Sequence, residues 1–106
     1  MEEHLVVLVT APSRAVGRDV ARALLEQQLA ACVNVIPSID SLYTWEGEIR
    51  SDEEVLLMVK TTAAAFDALA TVVRDVHPYE VPEIIALPIV AGTRDYLDWI
   101  DEVVED

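Results

Sequence analysis

Three stretches of this chain are apolar on consecutive residues: Leu5 to Val9, Val55 to Val59 and Ile84 to Val90. Short β-branched runs of this kind form strands, and successive side chains of a strand point to opposite faces. A sheet built from them is therefore oily front and back, whereas a half-covered antiparallel sheet alternates apolar and polar residues. Two long helical stretches are available to cover it, and they cover one side. About six outward side chains left wet would each forfeit roughly 1.5–3 kcal/mol. That sum is comparable to the ~5–15 kcal/mol holding a whole domain together. A second copy of the chain is the economical cover, so an obligate homo-oligomer is expected. None of the runs approaches the ~20 apolar residues that cross a bilayer.

The runs fall into two strand–helix–strand halves. The first leads from Leu5–Val9 through a helix to Ala31–Ile36; the second leads from Val55–Val59 through a helix to Glu83–Val90. Ser13, just after Pro12, is placed to cap the first helix, and Val16, Val20 and Leu24 share one face. Gly17 should weaken that helix by about 1 kcal/mol. Arg14, Arg18 and Arg22 follow at four-residue steps, a stripe read as a solvated face paired with Asp19 and Glu26. The second helix is expected from about Ala63 to Val76, ended by His77-Pro78 because the residue before proline leaves the helical region. A short third helix begins near Gly92-Thr93. Between the halves, Pro37 to Glu54 reads as an extended hairpin turning at Glu46-Gly47, with a bulge at Pro37. Ser51-Asp52-Glu53-Glu54 is expected to face solvent. The sum is a ferredoxin-like α+β domain spanning 1–106: a four-stranded antiparallel sheet, two helices on one face, a long β2–β3 hairpin and a short C-terminal helix.

Charge narrows the partners. Seven Lys and Arg against 20 Asp and Glu leave a net charge of −13 on 106 residues, a field that repels nucleic acid and anionic membranes and gathers cations. Neither nucleic acid nor membrane is expected as a partner. The single cysteine, Cys32, excludes an intrachain disulfide framework and a multi-cysteine zinc motif. The acidic start Met1-Glu2-Glu3-His4 runs straight into a strand, which is unlike a secretory signal, so a cytoplasmic protein is expected.

The densest polar patch is His77-Pro78-Tyr79-Glu80-Val81-Pro82-Glu83. His77 with Glu83 could hold a metal loosely; equally, His77 could cap the second helix, with Glu83 pairing to Lys60 or an arginine. Lys60, the only lysine, closes the third strand and could join Tyr79 and Glu83 in an intersubunit cleft for a small anionic or zwitterionic ligand. Tyr43 and Trp45 on the hairpin read as interface aromatics. Cys32 reads as a buried, inert thiol. No Ser/His/Asp constellation or glycine-rich phosphate loop is present, and His4 sits at an end expected to fray, so no enzyme activity is expected.

Leu29-Ala30-Ala31-Cys32-Val33-Asn34, Ser41-Leu42-Tyr43-Thr44-Trp45-Glu46-Gly47, Val59-Lys60-Thr61-Thr62, His77-Pro78-Tyr79, Val81-Pro82-Glu83-Ile84 and Tyr96-Leu97-Asp98-Trp99-Ile100 together make the chain resemble the CutA family of divalent cation tolerance proteins over nearly its whole length. The resemblance implies a ferredoxin-like subunit in a homotrimer, an architecture similar to PII-like signalling proteins, and a link to tolerance of copper and other divalent cations. It also implies a departure. Where a copper site is described in the family, a cysteine ends the first strand and two histidines precede the helix-ending proline. Here those positions hold Val9, Val76 and His77, so copper(II) or another divalent cation would be bound weakly. A PII-like binding module and a structural scaffold trimer are the alternatives.

Overall fold

The computed structural model describes residues 3–104. Eight elements follow in the order β1 (His4–Ala11), α1 (Arg14–Glu26), β2 (Cys32–Trp45), β3 (Glu48–Thr62), the 3-10 turn η1 (Ala63–Ala65), α2 (Phe66–Val76), β4 (Ile84–Pro88) and α3 (Arg94–Val103). The four strands form one antiparallel sheet in the order β2-β3-β1-β4. Two strand–helix–strand units interleaved in this way are the ferredoxin-like topology.

Local chemistry explains the boundaries. Ser13 is the N-cap of α1, and its Oγ accepts the Val16 N–H at 3.1 Å. His77 closes α2 with an extended backbone before Pro78, its N–H still donating to the Val73 carbonyl. Glu46 and Gly47 take φ of +52° and +80°, the left-handed pair that lets a two-residue loop follow the twist of its strands. The bulge falls as expected: Ile36 faces Leu56 and Ile39 faces Glu54, so β2 carries one residue more than β3, with Ser38 at φ +62°.

α1 and α2 pack on one sheet face, where Val7, Val9, Leu57 and Val59 are fully buried against Val20, Leu24, Leu69 and Val73. Gly17 is the point of closest approach. A Cβ there would lie 3.0 Å from Val55 Cγ2 and 3.2 Å from Leu57 Cδ2, so the glycine brings α1 onto β3 at some cost in helix propensity. Arg14, Arg18 and Arg22 are all exposed, as a solvated stripe should be.

The opposite face carries the alternate residues Val6, Leu8, Leu56, Met58, Ile36, Ile85 and Leu87. α3 shields one end of it: Tyr96 lies against Cys32, and the His4 ring is 2.9 Å from Asp101. His4 is thus tied down rather than frayed. Beyond α3 the face is open, with Ile85 and Leu87 each 52% exposed and Ile36 36%. β4 is shorter than the run that predicted it. It ends at Pro88, which cannot donate to a ladder, and Val90 stands in solvent. Among the described residues no helix is long and apolar enough to cross a membrane.

Candidate functional site

The outer half of the β2–β3 hairpin and the loop 77–83 after α2 meet over the open sheet face and border an open cavity of about 600 Å³. Tyr43, Trp45 and Arg50 line it from the hairpin, Tyr79 and Glu83 from the loop, and Glu54 and Thr10 from the sheet. Two proline residues stiffen the loop, and its anchor is His77.

His77 is 6% exposed and both ring nitrogens are engaged. Nδ1 accepts the Tyr79 backbone N–H at 3.1 Å, and Nε2 lies 2.7 Å from the Thr10 carbonyl oxygen. A backbone N–H can only donate and a carbonyl can only accept, so the ring is the Nε2–H tautomer with its lone pair already used. His77 therefore staples the loop to β1 and offers no nitrogen to a metal. Its ring also packs against that of Tyr79, with centroids 4.7 Å apart.

Tyr79 in turn donates its hydroxyl hydrogen to Glu54 Oε2 at 2.9 Å. Partial burial, and then the hydrogen bond to the Glu54 carboxylate, push the phenol up to about 12. Tyr43 donates to Asp52, and that hydrogen bond is the main cause of its raised pKa. Tyr96 is raised by burial first, then by Cys32.

The expected site residues separate. Tyr79 and Glu83 both line the cavity, as do Tyr43 and Trp45. Lys60 does not join them in this chain: its Nζ donates to Asn34 Oδ1, and it lies six residues along β3 from Glu54, on the order of 20 Å of strand. Lys60 and the Tyr79–Glu83 loop are therefore apart within one chain, as an intersubunit cleft requires of residues contributed by different copies, and among the described residues no Lys60–Glu83 ion pair occurs. The metal pair His77–Glu83 also fails to converge, because His77 is buried with its lone pair spent while Glu83 is exposed. Val9 is fully buried in the core and Val76 presents only carbon, so the copper ligand set expected from the family does not fit here. Among the described residues no group of three or more His, Cys, Asp or Glu is arranged to hold a metal ion.

The residue that sequence reasoning missed is Glu54. It was expected in solvent, yet it is only 7% exposed. Strand parity carried the signal: Glu54 is two residues before Leu56, four before Met58, and shares their face. Asp52, in the same expected interruption, is exposed and paired to Tyr43.

The fold is a ferredoxin-like α+β sandwich with a long hairpin, an open apolar sheet face and a cleft walled by aromatic and acidic residues. The sequence profile described as "CutA1 divalent ion tolerance protein" matches residues 5–103. The chain is 56% identical over 102 residues to the divalent-cation tolerance protein CutA of Thermus thermophilus, covering 96% of this chain and 97% of that one. It is 52% identical over 97 residues to mouse Protein CutA, of whose length it spans 55%. The crystal structure of CutA1 from Oryza sativa superposes with a TM-score of 0.96 at 42% identity, covering 99% of this chain and 96% of that one. The chain belongs to the CutA1 family of divalent ion tolerance proteins.

Proposed function

We propose that the chain serves divalent-cation tolerance as a cytoplasmic homotrimer that binds ions and does not catalyse a reaction. The observation that carries the assembly is the open sheet face, where Ile36, Ile85 and Leu87 are exposed beside half-buried Leu8, Leu56 and Met58. Such a contiguous apolar area is a protein interface in most soluble proteins, and sister copies that close over it would seat Tyr43 and Trp45 between subunits. Copper(II) and other divalent ions would be held weakly, at single exposed carboxylates such as Glu83, because hard oxygen donors that do not converge make poor transition-metal sites.

Sedimentation equilibrium tests the assembly: a species about three times the 11.7 kDa chain is expected, and a well-folded monomer at micromolar concentration would overturn it. Calorimetric titration of copper(II) tests the ion reading. Wild type and His77→Gln should bind equally weakly, and tight binding lost in His77→Gln would overturn it. The cavity favours a second reading, a PII-like binding module that holds a small ligand.

A further inference from the structure

We infer that the outer flank of α1 docks an extended acidic segment of another polypeptide, held by Arg14, Arg18 and Arg22. The three arginines follow at four-residue steps along a 13-residue helix, so they form one row with about 6 Å between neighbours. All three are exposed. Asp19 and Glu26, the partners expected from the spacing, hold none of them: among the described residues no guanidinium of the row makes an ion pair. Arg14 also borders a hollow at the β2 bulge with Glu53 and Glu54 and pairs with neither. Leu25, 42% exposed, extends the row beyond Arg22.

The distribution of charge sets this flank apart from the rest of the molecule. In α1 and α2 together, Arg14, Arg18, Arg22 and Arg74 balance Asp19, Glu26, Asp67 and Asp75, so the net charge of −13 lies on the sheet, hairpin, loops, termini and α3. The two helices cover the sheet face opposite the open apolar one, so copies that close over the open face leave the row outside. The molecule spans 22 Å along its shortest axis, whereas charges in solvent are screened over about 8 Å at physiological ionic strength. The acidic far side therefore does little to repel an anion from this flank.

The row also selects the form of its ligand. Each guanidinium can take a carboxylate through two parallel N–H donors. Carboxylates about 6–7 Å apart occur on every second residue of an extended chain, the form that a self-repelling acidic segment adopts. An apolar residue after the third carboxylate would cover Leu25. Nucleic acid fits less well: a duplex carries one charge for about every 1.7 Å and would run past the row, only ~12 Å long, into acidic surface.

Fluorescence anisotropy on the full chain at ~0.15 M salt tests the inference, with a short labelled peptide bearing glutamate at alternate residues and leucine after the third. Its glutamine analogue and a DNA duplex are the comparison probes. Saturable binding of the glutamate peptide alone is expected. Replacing all three arginines by glutamine should weaken it about tenfold or more, and Arg18→Gln alone about threefold. Arg94→Gln, which removes the same charge from an exposed site on α3, should leave binding unchanged. No saturable binding of the glutamate peptide, equal binding of the glutamine analogue, equal losses in Arg18→Gln and Arg94→Gln, or DNA bound as tightly as the peptide would each overturn the inference. The assembly and ion readings do not depend on the outcome.

Discussion

The Tyr79 hydroxyl sits 2.9 Å from Glu54 Oε2, and this hydrogen bond joins the loop after α2 to the middle of β3. Together with the His77–Thr10 bond of 2.7 Å it pins the loop to two adjacent strands, β1 and β3. Both ties hold the first residues of the loop wall, one through an imidazole on a backbone carbonyl and the other ending on a buried carboxylate.

The Tyr79 tie should be visible in a pH titration. A folded-state pKa of about 12 against an ordinary 10.0 means that the fold favours the protonated phenol. Its contribution to stability is fully present below pH 10 and is lost as pH rises from about 10 to 12. The near-ultraviolet phenolate signal of Tyr79, isolated by subtracting Tyr79→Phe, should reach its midpoint near pH 12. In Glu54→Gln the midpoint should fall but stay above the ordinary value, since burial, the larger cause, remains. An unchanged midpoint in Glu54→Gln would mean the carboxylate does not hold the proton.

His77→Ala should destabilise the chain by about 2–4 kcal/mol. The substitution orphans the buried Thr10 carbonyl and the Tyr79 N–H, each worth about 1–3 kcal/mol when left unmet, with partial relief from water entering the gap. Denaturant unfolding measures the loss. Nitrogen chemical shifts of the imidazole give an independent reading: Nε2 should carry the proton and Nδ1 should be the bare nitrogen, in the presence or absence of copper(II).

The parts of this architecture that depend on near neighbours could be read from the sequence. Ser13 caps α1, Glu46-Gly47 turns the hairpin and Pro37 marks the bulge because each acts within a few residues. The site was less legible because it is made by register. Glu54 is buried only because Thr10, His77 and Tyr79 close over that end of the sheet, and Lys60 misses the cavity only because β3 is one unbroken strand through both positions. His77 and Glu83 are close in sequence, yet one points into the fold and the other into solvent. Sequence proximity suggested a metal pair; the hydrogen-bond needs of the buried His77 ring decided otherwise.

Gly17→Ala should be destabilising although alanine is the better helix former. The gain in propensity is about 1 kcal/mol, while a Cβ at 3.0 Å from Val55 Cγ2 and 3.2 Å from Leu57 Cδ2 forces rigid strand side chains to move. Overpacking of this kind costs about 1–3 kcal/mol, so a net loss near 1 kcal/mol is expected. Thermal unfolding at fixed protein concentration should show a melting temperature lowered by about 4–8 °C. A raised melting temperature would mean that α1 can lift from β3 freely.

Met58→Glu separates a sheet face that stays wet from one covered by sister chains. Met58 lies between Leu8 and Asn34 on the open face and is half-buried in the single chain. If water covers that face, a glutamate there is a surface substitution worth within about 0.5 kcal/mol, and the assembly state is unchanged. If other copies cover it, the new carboxylate is buried without a partner, a change of about 3–5 kcal/mol or more for each subunit. Because the same substitution enters every subunit, the penalties meet at one interface and dissociation is expected. Light scattering on Met58→Glu should then find monomer or unfolded chain, with Met58→Leu, which keeps the volume and the apolar character, assembling like wild type. An oligomer indifferent to Met58→Glu would place the contact between copies elsewhere on the molecule.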